Sequence, residues 1–157
     1  MAERKPEMTK KGKVVLASGT FDLLHLGHVK YLEEAKKAGG KSAELIVIVA
    51  KDRTVEKRKG RKPVMPEEQR RALVESLKVV DRAILGYEAF DMSQVIDEIK
   101  PDVIAVGYDQ DKIEEKVRKT VAEKGLGIQV IKVQKFRKTE LNSSLKIKKK
   151  VTELYKG

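Results

Sequence analysis

Residues 13–38 read KVVLASGTFDLLHLGHVKYLEEAKKA, and the change of period inside this stretch decides the fold. Lys13 to Ser18 is rich in β-branched residues and ends on a small one, which predicts a strand. Gly19 and Thr20 follow, then Phe21-Asp22-Leu23-Leu24 and His25-Leu26-Gly27-His28. From Leu26 onward the spacing is helical, with Val29, Leu32 and Ala35 in phase and charged residues between them. A strand that turns through glycine into a helix leaves backbone N–H groups unpaired at the positive end of the helix dipole. That is a seat suited to phosphate. Both histidines of the chain lie there.

His25 and His28 are three apart, so in a first helical turn they project to one side and can donate hydrogen bonds to phosphoryl oxygens. Gly27 between them removes the side chain that would hold a nucleotide off the backbone. Two other readings remain open on the histidines alone. A zinc site would need carboxylates to complete it, because there is no cysteine and no third histidine. Polar residues that merely open a helix are the other. Taken with their neighbours, Gly19, Thr20, Phe21, Asp22, His25, Gly27 and His28 form Gly-Thr-Phe-Asp-x-x-His-x-Gly-His. This pattern resembles the nucleotide-binding element of the cytidylyltransferase family, within the nucleotidyltransferases that carry His-x-Gly-His.

Outward from that element the chain alternates. Glu44 to Ala50 is an unbroken apolar run, as for a strand buried on both faces, and with the preceding strand and helix it makes a βαβ unit. Further strands are expected at 81–86, 102–107 and 128–133. Between them come a helix opened by Pro66 and burying Leu73, Val74 and Leu77, and one capped by Asp91 and burying Val95, Ile96 and Ile99. A third buries Ile113, Val117 and Val121 and stops at Gly125, and the last runs from Ser143. With 157 residues and 40% apolar content, the expectation is one domain over 13–157 behind a loose basic tail at 1–12. Its fold class is α/β, a Rossmann-like doubly wound parallel sheet of about five strands.

The net charge of +11, from 35 Lys and Arg against 24 Asp and Glu, suits a polyanionic ligand. A Lys- and Glu-rich surface without cysteine is also common in heat-adapted proteins. Seven Phe and Tyr with no alternating basic and aromatic pattern argue against a nucleic-acid partner. No apolar run approaches the roughly 18 residues that span a bilayer. The absence of cysteine points to the cytoplasm. Residues 51–66 read as a basic loop leaving the second strand toward the histidine edge. Within it Lys62 is the favoured phosphate contact, because Pro63 limits where it can point.

Lys135 to Lys146 follows the last strand at the same edge. It resembles the Arg-Thr-Glu-Gly-Ile-Ser-Thr element of the cytidylyltransferases, keeping Thr139, Glu140, Ser143 and Ser144, with Arg137 one position upstream and Leu141-Asn142 in place of Gly-Ile. Residues 49–55, 60–70, 80–86 and 100–110 are similar to the archaeal FAD synthases, single-domain FMN adenylyltransferases. The resemblance covers residues 14 to about 146. It implies that Thr20, Phe21, His25, Leu26, Gly27 and His28 contact ATP beside Gly19 and Asp22. Asp109 would join them from the loop after the fourth strand, unless it serves only as a turn or helix-cap residue, and Arg137, Ser143 and Ser144 from the C-terminal element, with Phe136 either lining the nucleotide pocket or belonging to the core. His25, His28 and Lys62 would be catalytic. It further implies FMN as acceptor, a divalent metal ion such as Mg²⁺, and a homodimer. The alternative is a cytidylyltransferase using CTP and glycerol 3-phosphate or a similar alcohol phosphate.

Overall fold

The structure, a computed structural model, describes residues 12–87 and 91–156; the expected basic tail lies outside the described residues except for Gly12. Five strands and six helices follow in the order β1 (Val14–Gly19), α1 (Leu26–Ala38), β2 (Glu44–Val49), α2 (Asp52–Lys59), α3 (Glu67–Glu75) and β3 (Arg82–Leu85). Then come α4 (Met92–Ile99), β4 (Val103–Val106), α5 (Asp111–Lys124), β5 (Gln129–Lys132) and α6 (Ser144–Leu154). The sheet is wholly parallel in the order β3-β2-β1-β4-β5. The chain therefore winds outward through β2 and β3, then crosses over to lay β4 on the other side of β1. At that switch point the connections leaving β1 and β4 diverge, and a crevice opens at the C-terminal edge.

Alternate residues of the central strands fill two cores. Val15, Ala17, Leu45, Val47 and Val49 pack with Leu32 and Ala35 of α1 and Val74 of α3 on one face. Leu16, Ile46, Ile48 and Ile104 pack with Val95 and Ile96 of α4 and Val117 and Val121 of α5 on the other. This is why β2 reads as an unbroken apolar run: both faces of the strand are inside. Asp91 caps α4 as its position suggested, its carboxylate accepting from the Ser93 and Gln94 N–H groups. Gly125 ends α5 with a left-handed φ of 64°.

Residues 52–59 correct the expectation of a loop. They form α2, an eight-residue helix with one buried residue, Val55, closed by Gly60 at φ 74°. With a single apolar contact there is no periodicity for a sequence reading to find. The helix is held at its ends instead. Asp52, its first residue, pairs with Arg70 of α3 at 2.7 Å, and Gly60 supplies the left-handed C-cap.

Candidate active site

The crevice at the switch point is a cleft of about 600 Å³. Its two central strands are locked together at their ends. The Tyr31 hydroxyl donates to the Ala105 carbonyl at 2.8 Å, and the Gln110 amide donates to the Ser18 carbonyl at 3.1 Å while accepting from the Gly107 N–H. From β1 the chain passes through Phe21 and Leu23 with φ of 54° and 49°, left-handed values that L side chains adopt only when surroundings impose them. The Phe21 ring is that constraint. It is 3% exposed, meets the His28 ring edge-on at 5.3 Å, and lies where a Cβ on Gly19 would touch it at 2.9 Å.

His25 precedes α1 as its N-cap and His28 sits in the first turn, so both rings stand at the positive end of the helix. They stack with centroids 3.7 Å apart. The His25 backbone N–H donates to Nδ1 of His28 at 3.2 Å, which leaves the proton of a neutral His28 on Nε2. Burial above all, and then the neighbouring His25, push the His28 pKa down to about 3. Burial also lowers that of His25, whose Nδ1 is enclosed without a hydrogen-bond partner. Both imidazoles are therefore neutral near pH 7. They act as oriented N–H dipoles and not as cations.

Asp22 is buried, and its carboxylate accepts from the backbone N–H groups of Val64 (2.8 Å) and Met65 (3.0 Å), with the Lys148 ammonium at 3.5 Å. Burial pushes this carboxyl upward, but the two N–H groups and Lys148 outweigh it and hold the group below its ordinary value. Asp22 thus braces the loop that carries Lys62. Gly27 has a steric reason besides the expected nucleotide access. A Cβ there would meet the Asn142 carbonyl and the His25 ring, each at 2.9 Å, so the glycine lets the lead-in to α6 close against α1.

That lead-in gives a role to Asn142 of the Leu141-Asn142 departure. Asn142 is buried, donates to the Phe136 carbonyl and accepts from Lys146, closing the loop on itself. The Ser143 hydroxyl caps α6 by accepting from the Lys146 N–H, and the Ser144 hydroxyl donates to the Asp22 carbonyl. The opposite bank is cationic. Arg58 and Lys59 from the last turn of α2, Arg61 and Lys62 from the loop, and Lys148 from α6 all line the cleft. Arg58 also donates to the Thr20 hydroxyl at 3.0 Å. Burial first, then Arg58 and Lys148, lower the Lys59 pKa, with Asp109 opposing them. Cations crowded this closely mark a place for a polyanion.

Of the residues expected at the site, Gly19, Thr20, Phe21, Asp22, His25, Gly27, His28, Lys62, Asp109, Ser143 and Ser144 line the cleft. Leu26, Phe136 and Arg137 are not brought to its wall. Leu26 is 44% exposed, and Arg137 lines a separate shallow depression with Lys135, Lys138 and Lys146. Arg58, Lys59 and Lys148 also line the cleft and are not marked out by the sequence motifs. For the first two the available signal was a basic run ending at a helix-stopping glycine; for Lys148 it was a place one turn beyond Ser144.

This geometry belongs to a known family. A model of the cytidylyltransferase-like family matches residues 16–150, and the chain belongs to that family. Within it, the chain is 48% identical over 145 residues to the FAD synthase of Methanopyrus kandleri, covering 92% of this chain and 95% of that one. It is 48% identical to the FAD synthase of Methanobrevibacter smithii, again over 92% and 95%. A crystal structure from Thermoplasma volcanium, described as a lipopolysaccharide core biosynthesis protein, superposes with a TM-score of 0.69 at 42% identity, covering 81% of this chain and all of the other.

Proposed function

We propose that this cleft transfers AMP from ATP to FMN, forming FAD and releasing pyrophosphate. The observation that carries the reading is the neutral, stacked histidine pair at the start of α1, in a cleft shared with a bank of cations. The FAD synthases matched along nearly their whole length support ATP and FMN over CTP and an alcohol phosphate.

In this reaction a phosphate oxygen of FMN attacks the α-phosphorus of ATP in line. The bond to the bridging oxygen breaks as the new P–O bond forms, and pyrophosphate leaves with that electron pair. A phosphate monoester is already anionic near neutral pH, its second pKa lying at about 6, so no strong base is needed. The side chains have to position the groups and offset charge. Nε2–H of His28, fixed by the His25 backbone, donates to the phosphoryl oxygens together with His25. Such donors strengthen as charge builds in the transition state. Arg58, Lys59, Lys62 and Lys148 hold the outer phosphates, and the N-termini of α1 and α6 add backbone N–H groups.

A divalent ion, of which Mg²⁺ is the expected one, supplies further neutralisation of the departing pyrophosphate when bound. Among the described residues no group of three or more His, Asp or Glu is placed to hold a metal. On the cleft wall Asp22 is engaged by Val64 and Met65 and Asp111 by Lys132, which leaves Asp109. The donor set fits a polyphosphate-borne ion, which Asp109 would help to hold.

Pyrophosphate release from ATP plus FMN, set against CTP plus glycerol 3-phosphate, with mass spectrometry of the product, tests the substrates. His28→Ala should lose about 10²–10³ in kcat with an unchanged circular dichroism spectrum. Near-normal turnover by that variant would remove His28 from the mechanism. A homodimer and a cytoplasmic location belong to the same proposal, the first checked by sedimentation of the full chain.

A further inference from the structure

Both substrates of the proposed reaction carry a flat heteroaromatic ring, and the histidines, cations and helix N-termini assigned to the phosphates leave that ring without an assigned contact. Among the described residues, three Phe or Tyr side chains line the cleft. Phe21 is buried with its edge against His28, and Tyr31 is tied by its hydroxyl to the Ala105 carbonyl. Tyr108 differs, being 40% exposed at the end of β4, directly before Asp109. The Lys135 ammonium lies over its ring, 5.3 Å from the centroid. Lys135 lines the neighbouring depression and not the cleft, while Tyr108 lines the cleft and not the depression.

We propose that the face of Tyr108 not covered by Lys135 is a stacking platform for the planar heterocycle of a substrate. Lys135 fixes the ring from behind through a cation–π contact, so the aromatic face is held in place before the ligand arrives. A tyrosine ring has two torsions to fix and presents a broad apolar surface, which suits a rigid platform. Ile113 and Val133 supply apolar edges to the same cleft, and Asp109 supplies an acceptor for a ring amine or a ribose hydroxyl beside it. Two rings meet this description, the adenine of ATP and the isoalloxazine of FMN. The inference rests on the reading of the cleft as a nucleotidyl-transfer site and adds a ring contact to it.

Binding without turnover tests it on the full chain. FMN is titrated by its own fluorescence, and ATP and inorganic tripolyphosphate by calorimetry, for wild type, Tyr108→Phe and Tyr108→Leu. Loss of a stacking face should weaken the ring-bearing ligand about 5- to 100-fold in Tyr108→Leu. Tripolyphosphate, which has no ring, should bind within twofold of wild type, and Tyr108→Phe should behave as wild type. A loss confined to ATP assigns the platform to adenine, one confined to FMN assigns it to the flavin, and a loss in both means the two rings share the face. The platform is overturned if Tyr108→Leu binds ATP and FMN within twofold of wild type. It is overturned equally if tripolyphosphate weakens in step, or if Tyr108→Phe loses as much as Tyr108→Leu. If wild type itself binds neither ATP nor FMN, the nucleotidyl-transfer reading has failed, a result distinct from any of these.

Discussion

Arg70→Met keeps much of the side-chain volume of a residue that is wholly buried, and removes every polar contact it makes. In the native protein Nε donates to the Met65 carbonyl (2.9 Å), Nη1 to the Thr20 carbonyl (2.7 Å) and Nη2 to the Asp52 carboxylate (2.7 Å). One guanidinium therefore ties the strand-to-helix turn, the first residue of α2 and the loop that carries Lys62. Each part-buried carbonyl that loses its donor costs about 1–3 kcal/mol. The Asp52 side chain is 30% exposed and can recover water, so its unpairing costs less than the roughly 3–5 kcal/mol of a fully buried pair. Together the loss should be about 3–5 kcal/mol, and at a urea m-value of about 2 kcal/mol/M the midpoint falls by roughly 2 M. Arg70→Lys retains the charge but not the planar fork and should fall between the two. Asp52→Asn, which leaves both carbonyl bonds intact, should cost clearly less than Arg70→Met. Unfolding followed by far-ultraviolet circular dichroism reads all three variants. An Arg70→Met midpoint corresponding to less than about 1 kcal/mol of lost stability, at unchanged slope, would refute the assignment of Arg70 as the brace of the site.

The remaining predictions concern the same cleft. His28 has its folded pKa pushed down from 6.5 to about 3 by burial and by His25, against the opposing pull of Asp22. Its contribution to stability is complete above about pH 6.5 and is lost as pH falls toward 3, because only the unfolded chain takes up the proton in that window. Replacing it by glutamine should flatten the pH dependence of the urea midpoint there by about one proton. Arg58→Ala combined with Lys59→Ala should raise KM for ATP about tenfold or more and make it less sensitive to salt, since exposed charges are screened over about 10 Å at 0.1 M. An unchanged salt slope in steady-state kinetics would argue against those cations as phosphate contacts. Gly27→Ala drives a Cβ against the Asn142 carbonyl, a backbone atom that cannot swing aside. It should cost about 1–3 kcal/mol and lower Tm by roughly 3–10 °C in calorimetry.

What could be read from the sequence divides along a physical line. The parallel sheet was legible because its strands are buried on both faces and bounded by turn residues, as at Glu44–Val49 and Val103–Val106. The histidine pair was legible because a strand, a glycine turn and a helix start follow one another without a gap. Bonds to partners far along the chain were not. Asp22 sits inside the motif, yet its carboxylate is taken by N–H groups 42 and 43 residues away. α2 has no stripe to betray it, since its one buried residue is Val55. Arg70 left a trace all the same. It lies four residues before Val74, in phase with the apolar side of α3, and a charged residue on that stripe must be either exposed at an edge or paired inside. With the net charge at +11 and cations packed along the cleft, a buried arginine is an improbable choice for stability alone. Its three bonds join the strand-to-helix turn, α2 and the loop that carries Lys62 through one side chain. The motif residues proposed to touch phosphate thus keep their positions through residues outside the motif, and a search confined to the motif misses the part of the site that fixes its shape.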